Sequence, residues 1–357
     1  MAVSPRTADV VVVGAGIAGL VAAGELTRCG RRVVVLEKSR GVGGRMATRR
    51  VGAAVCDHGA QFFTVRDDGF GSLVENAREA AAVAAWCDGF SRAESIAAAV
   101  LPAADGHTRW RGVRGMTDLP KRLAAMLPAE GCEIRTGRKA AAIAVRQGLV
   151  HVTLEPADDA TAGEPITAGA AIVTAPVPQS LDLFASGGML AAGGPADPEA
   201  RSRLETVSYD PCFAVMLVLD RPSLVPPPGG IQFAAGPVSW LADNHKKGIS
   251  PVPALTVHAS GEFSSRHFDE APDLVATRLI DLVRPWIPGD PAEVIVERSV
   301  HRWKFATPTT VLPEACVAIS HAPPILCCGD AFAGPRVEGA AASGLAAARA
   351  IVAGVSR

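Results

Sequence analysis

The chain opens on an unbroken apolar run followed by apolar residues at helical spacing. Asp9-Val10-Val11-Val12-Val13 is apolar without a break after its first residue, as expected of a strand covered on both faces in a parallel sheet. From Ile17 to Arg28 the apolar residues Leu20, Ala23 and Leu26 recur at helical spacing, and Gly30 ends that helix. Arg32-Val33-Val34-Val35-Leu36 forms a second buried strand, which completes a βαβ unit of the usual length. From Ser72 to Val100 the chain is alanine-rich and predicts helix. Another helix is expected to start in Gly115–Pro120, capped by Thr117 or Asp118. Short strands follow at Cys132–Arg135 and Leu149–Leu154, joined through Ala140–Val145, then a polar turn over Pro156–Thr167 and a strand at Ala170–Ala175. Between Pro178 and about Pro291, strands such as Phe213–Leu219 and Leu255–His258 lie among proline- and glycine-rich loops, with one helix around Leu274–Val283. The chain then returns to its opening style, with a strand at Ile325–Cys328 and a small-residue helix from Glu338 to Val355.

Charge narrows the partners. The 35 basic and 36 acidic residues nearly cancel, so no global positive field exists to hold nucleic acid or an anionic membrane. The first apolar run, Val10 to Ala23, contains three glycines and stops at Glu25. It is too short to span a bilayer and is followed by no cleavage pattern. A cytoplasmic protein is expected. Eight cysteines are scattered through the chain, none in C-x-x-C spacing, so no metal site is expected. Adjacent Cys327 and Cys328 read as small apolar residues ending a buried strand rather than as a vicinal disulfide, and reduced thiols are expected.

The candidate chemistry begins after the first strand. Gly14-Ala15-Gly16-Ile17-Ala18-Gly19 fits G-x-G-x-x-G between a strand and a helix. In that pattern Gly14 permits the tight turn, Gly16 lets a pyrophosphate approach the backbone, and Gly19 lets the helix pack on the strand. The helix N-terminus supplies free N–H groups. Glu37 ends the second strand about 20 residues on, where a carboxylate accepts ribose hydroxyls. A dinucleotide is therefore expected here. A second cluster, Lys38-Ser39-Arg40-Gly41-Val42-Gly43-Gly44-Arg45, is more than a nicotinamide site needs. Near the C-terminus, Cys328-Gly329-Asp330 precedes Val337-Glu338-Gly339-Ala340-Ala341-Ala342-Ser343-Gly344. A helix N-terminus there carries partial positive charge and would stabilise a negatively charged group beside it.

These elements resemble the amine-oxidase-like flavoprotein superfamily, whose Gly-Gly-Arg element serves FAD. Glu37 to Arg50, Asp57-His58-Gly59-Ala60-Gln61-Phe62-Phe63-Thr64 and His301-Arg302-Trp303-Lys304-Phe305-Ala306 together look like the bacterial renalase family. The fold implied is α/β, a Rossmann-type FAD-binding domain of residues 1–70, 113–180 and 295–357 with an inserted mixed-sheet substrate domain of 71–112 and 181–294. The resemblance assigns to FAD Gly14, Gly16, Ile17, Ala18 and Gly19, then Glu37, Lys38, Arg40, Gly43, Gly44, Arg45 and Met46. It adds Gly59, Ala60, Gln61 and Phe62, and near the C-terminus Gly329, Asp330, Glu338, Gly339, Ala340 and Ser343. Asp330 would contact the ribityl chain. No cysteine follows Cys328, so the FAD is expected to be non-covalent.

The implied activity is oxidation of isomeric dihydronicotinamide dinucleotides to NAD(P)⁺, with O₂ reduced to H₂O₂. Such a donor asks mainly for placement against flavin N5. His301, Trp303, Gln61 and His58 are the side chains expected to act in it, with Trp303 as an aromatic wall and Gln61 as a contact to flavin or carboxamide. Plainer roles stand beside these: Asp57 and His58 as a capped turn, His301 to Trp303 as a strand edge, Glu338 as a helix N-terminal carboxylate. Strand alternation would turn Lys304 away from the face of Trp303. The alternatives are an amine oxidase, a desaturase or isomerase of a larger apolar substrate, or a flavin-binding structural or sensor protein. The single tyrosine, Tyr209, makes a two-tyrosine amine cage impossible, although Trp303 or a phenylalanine could substitute.

Overall fold

The computed structural model describes residues 7–102, 105–128, 131–156, 165–332 and 334–354. Residues 157–164 of the expected polar turn, and Val355, lie outside them. The chain forms two compact units, Met1–Gly44 with Pro120–Ser208 and Pro308–Arg357, and Arg45–Leu119 with Tyr209–Thr307.

The first unit is built on an eight-stranded sheet. Its main path runs Val317–His321, Pro324–Cys327, Ile166–Val173, Ala8–Val13, Val33–Leu36, Cys132–Arg135; Leu149–Leu154 pairs with Ile166–Val173, and Ala140–Arg146 pairs in turn with Leu149–Leu154. The central strands are parallel and buried along their length, which explains their unbroken valine runs. Helix Ile17–Arg28 packs on Val337–Ala353 so closely that a Cβ on Gly344 would fall 2.1 Å from the Ala18 carbonyl oxygen. The small residues of the last helix permit that approach.

The second unit holds a six-stranded sheet in the order Ile295–Pro308, Tyr209–Leu219, Ala254–Ala259, Val238–Asp243, Gly230–Phe233, Ser91–Ala93. Strand Tyr209–Leu219 is covered on both faces. Phe213, Val215, Leu217 and Leu219 face the larger core with Val275, Leu279 and Val283 of helix Pro272–Val283. Met216 and Val218 meet Val51, Ala54 and Cys56 of the hairpin Thr48–Val51/Ala54–Asp57. This packing gathers residues 45–70 and 295–307 into the second unit, although the sequence reading grouped them with the dinucleotide-binding segments. Residues 113–119 also join the second unit, and 181–208 the first.

The expected long helix over Ser72–Val100 does not form. A helix spans only Asp68–Glu79, capped by Asp67 Oδ1 accepting from Phe70 N, and it stops before Ala81 at φ +52°. Val83–Cys87 then pairs with Arg109–Gly112, and Ser91–Ala93 joins Gly230–Phe233. Alanine's helix propensity is a weak prior, and strand pairing overrides it here. Ala140–Arg146 is likewise a strand rather than a connection. Among the described residues no helix is long and apolar enough to cross a membrane. All eight cysteines are free thiols, and Cys327 and Cys328 are buried at the end of their strand.

Candidate functional site

In the first unit the parallel register brings four strand ends into one row. Val13 pairs with Leu36 on one side and Val173 on the other, and Val173 pairs with Cys327. The residues that follow, Glu37, Gly14, Thr174 and Cys328, therefore stand side by side. The strand order reverses direction at Ala8–Val13, and such a switch point is where open α/β sheets bind ligands. Gly14 has φ +107°, and a Cβ there would lie 2.4 Å from Thr174 Oγ1. One on Gly19 would lie 2.0 Å from the Gly14 carbonyl oxygen. Gly16 is different: its φ is −73° and nothing lies within 4 Å of an added Cβ. Packing does not require that glycine, whereas a ligand crossing the helix N-terminus does.

Glu37 is buried beside this turn, accepting from Ala15 N at 2.9 Å and Ser39 N at 2.8 Å. Gly43 N donates to Ala15 O at 2.9 Å, and a Cβ on Gly44 would sit 3.5 Å from Gly16 Cα. The second glycine cluster thus lies against the first, with Lys38 and Arg40 exposed. Gly329, at φ +137°, donates its N–H to Ser343 Oγ at 2.8 Å, and that hydroxyl donates to Ala315 O. Ser343 is fully buried. Its hydroxyl is used to fasten the Gly329–Asp330 turn to the helix that begins Val337-Glu338-Gly339-Ala340.

In the second unit, residues 45–47 run beside 58–60. Ala60 N donates to Arg45 O at 2.8 Å and His58 N to Ala47 O at 3.1 Å, and a Cβ on Gly59 would fall 2.0 Å from Arg45 O. Met46 is buried in this segment. Alternate residues of strand Ile295–Pro308 lie along the hairpin that continues from it. Glu297 meets the turn at Gly52. Ser299 Oγ accepts from Arg49 Nη1 at 3.3 Å. His301 stands edge-on to His58 at 4.9 Å between ring centres. Trp303 stacks on His58 at 5.5 Å and donates Nε1 to its carbonyl at 2.7 Å. Arg302 and Lys304 are exposed on the opposite face, as the alternation requires. Arg45 Nη1 reaches Phe305 O at 3.5 Å and Ala306 O at 3.4 Å, with its guanidinium 5.7 Å from the centre of the Tyr209 ring. Phe62 packs with Phe90 and Trp240 in an aromatic cluster.

A buried ion pair secures the loop that carries Gln61. Lys247 Nζ donates to Asp57 Oδ2 at 2.6 Å and to Gln61 O at 2.5 Å, and both charged side chains are fully buried. The ammonium also sits 4.7 Å from the Trp86 ring centre. Asp57 Oδ1 accepts from Thr48 Oγ1 at 2.5 Å and Met116 N at 2.8 Å. Gln61 Nε2 donates to the carbonyls of Asp57 at 2.7 Å and Gly59 at 3.1 Å. Two of the buried side-chain atoms that have no hydrogen-bond partner among the described residues lie here, His58 Nδ1 and Gln61 Oε1. Buried polar atoms without partners are rare and call for a ligand or a water.

Burial first, then His301 and Arg49, push the His58 imidazole down to about 3. Burial and Arg49 lower His301 to about 4, and burial lowers His258, 3.4 Å from Gln61 Nε2, to about 4. All three rings are neutral at physiological pH. Burial also lowers the Lys247 pKa, a shift that the Asp57 carboxylate opposes.

A model of NAD(P)-binding Rossmann-like domains matches residues 12–72. A model of flavin containing amine oxidoreductases matches residues 70–352. The chain belongs to the flavin containing amine oxidoreductase family. Its cofactor is FAD. Among curated proteins, a provisionally named flavin-containing monoamine oxidase, AofH of Mycobacterium tuberculosis, is 53% identical over 64 residues, 18% of this chain and 14% of that protein. Protein anon-37Cs of Drosophila lebanonensis is 42% identical over 65 residues, 18% of this chain and 12% of that one. The matches thus span only a small part of those relatives' length. Two solved structures share the fold across nearly both chains. A provisionally named protoporphyrinogen oxidase from Exiguobacterium sp. 255-15 has a TM-score of 0.69 at 14% identity, covering 98% of this chain and 99% of that one. A putrescine oxidase variant scores 0.71 at 14% identity, covering 97% and 99%.

The first unit fits such a cofactor. Gly16 leaves open space at a helix N-terminus, the buried Glu37 carboxylate is held beside it, and the Gly329 turn leads to a second helix N-terminus. Three participants escaped the sequence reading. Thr174 merely follows a strand, and its contact with Gly14 spans 160 residues. Lys247 meets Asp57 across 190 residues with no local signal. Arg49 lies inside the Glu37–Arg50 stretch, but only its pairing with Ser299 distinguishes it from Arg50.

Proposed function

We propose that this protein oxidises 1,2- or 1,6-dihydro isomers of NAD(P)H to NAD(P)⁺, with FAD held non-covalently. FAD, when held at Gly16, the Glu37 carboxylate and the Gly329–Asp330 turn, would supply a two-electron acceptor for the hydride, with O₂ and one proton from solvent accounting for the H₂O₂. The observation that carries this reading is the pair of buried, unpartnered polar atoms, Gln61 Oε1 and His58 Nδ1. Gln61 commits its amide nitrogen to two carbonyls, so its oxygen remains to accept a hydrogen bond. His58 is neutral, so its ring offers either a donor or an acceptor at Nδ1. A carboxamide presents both complements, an N–H donor and a carbonyl acceptor. A hydride donor that is already a dihydropyridine needs no general base, which agrees with three imidazoles too weakly basic to take a proton at neutral pH.

Oxidation of an amine is the second reading, supported by the family. Tyr209 suits it poorly, since the Arg45 guanidinium stands over that ring and would repel an ammonium ion. Product analysis tests the proposal. The enzyme with either dihydro isomer in air should form NAD⁺ and H₂O₂ in equal amounts, and failure to form NAD⁺ from both isomers would exclude it.

A further inference from the structure

We infer that Arg49 and Ser299, with His301 beside them, form a subsite that binds a phosphate of the nucleotide substrate. The inference rests on the dihydronicotinamide reading and names what holds the part of the substrate away from the reacting ring. Arg49 is half-buried, yet its guanidinium makes a single hydrogen bond among the described residues, the 3.3 Å contact to the neutral Ser299 hydroxyl. No carboxylate lies within ion-pairing distance of it among those residues. Other arginines of the same unit are committed: Arg109 to Asp105, Arg114 to Asp118, and Arg45 to two carbonyls. A guanidinium carries five N–H donors in a planar fork that matches phosphate oxygens. Partial burial strengthens such charge-assisted bonds and makes an unmet cation costly to keep.

Placement gives this cation its role. Arg49 lies in strand register with Cys56, two residues from His58, whose N–H bonds to Ala47. Arg49 and His58 therefore project from one face of the hairpin. Ser299, His301 and Trp303 alternate along the strand that faces it. From Ser299 to Trp303 is four residues, roughly 13 Å of extended chain. The order is aromatic wall and unpartnered imidazole at one end, cation and hydroxyl at the other, His301 between. A ligand with a planar carboxamide ring, a sugar and then a phosphate presents its groups in that order. The Ser299 oxygen accepts from Arg49, which leaves its own hydrogen to donate to the same anion. The Arg49 charge also contributes to holding His58 and His301 neutral, so it is felt along the whole face.

The test compares oxidised ligands on the FAD-loaded protein by flavin difference absorbance and calorimetry. Wild type should bind nicotinamide mononucleotide at least tenfold more tightly than nicotinamide riboside. Arg49→Met should abolish that preference while leaving riboside affinity unchanged, and Arg49→Lys should restore part of it. Equal affinity of wild type for the two ligands would overturn the subsite. The dihydronicotinamide reading would survive if the dihydro riboside isomers still reduced the flavin. If neither ligand binds and no dihydro isomer reduces the flavin, that reading fails, and inorganic pyrophosphate decides the subsite alone. Pyrophosphate binding lost in Arg49→Met would sustain it, and absence of binding to wild type would overturn it.

Discussion

Lys247→Met exposes how much the second unit depends on one buried contact. Methionine has nearly the length and volume of the lysine, so the substitution removes charge without opening a cavity. It leaves the fully buried Asp57 carboxylate without the ammonium 2.6 Å away, and breaking a buried pair on one side costs about 3–5 kcal/mol. The Gln61 carbonyl also loses its 2.5 Å donor, which adds about 1 kcal/mol. The sum, about 4–6 kcal/mol, is a large part of a typical stability of about 5–15 kcal/mol. Adding Asp57→Asn removes the orphaned charge while retaining an acceptor for Thr48 and Met116, and should recover at least about 2 kcal/mol. Urea unfolding followed by tryptophan fluorescence isolates this unit, because Trp86, Trp110, Trp240, Trp286 and Trp303 all lie within it and are the only five in the chain. The comparison holds where the dependence on urea is unchanged between variants. A single variant within about 1 kcal/mol of wild type, or a double variant no better than the single, would refute the reasoning.

Other substitutions probe the cradle and the imidazoles. Gly16→Ala should leave the stability of the FAD-free protein within about 1 kcal/mol of wild type, because an added Cβ meets nothing. Its FAD affinity should fall at least tenfold in a fluorescence titration, and unchanged affinity would show that no ligand crosses that point. The imidazole C–H resonances of His58, His258 and His301 should keep their neutral positions down to pH 5, and titration of any of them near 6.5 would contradict the burial argument. Their folded values lie below the unfolded value of about 6.5. The native state therefore binds fewer protons in between, and their contribution to stability is complete above pH 6.5 and lost as pH falls toward 4. Acid precipitation should release FAD into the supernatant, and a yellow pellet would establish a covalent link.

Local patterns were the legible part. The valine strands, the glycine turn and Glu37 are encoded within forty residues, and the structure forms them as read. Alternation along His301 to Lys304 was equally readable, because a strand has only two faces and the lysine falls on the exposed one. What escaped depends on contacts far apart in sequence. The alanines after Glu79 prefer helix in isolation, but Val83–Cys87 and Ser91–Ala93 find partners at Arg109–Gly112 and Gly230–Phe233. The hairpin Thr48–Asp57 follows the dinucleotide motif directly, yet its apolar face packs on Met216 and Val218. Its compact unit is therefore set by residues some 160 positions away. Single tyrosine or not, no local cue shows that Arg45 covers Tyr209.

Anaerobic stopped-flow absorbance at the oxidised flavin band tests the central claim most directly. The protein would be mixed separately with 1,2-dihydro-NAD, 1,6-dihydro-NAD, ordinary NADH and a panel of amines that includes putrescine. Rapid bleaching by at least one of the two isomers is expected, with NADH and the amines slower by orders of magnitude. Bleaching by an amine alone would contradict that claim and make this protein an amine oxidase without a two-tyrosine cage.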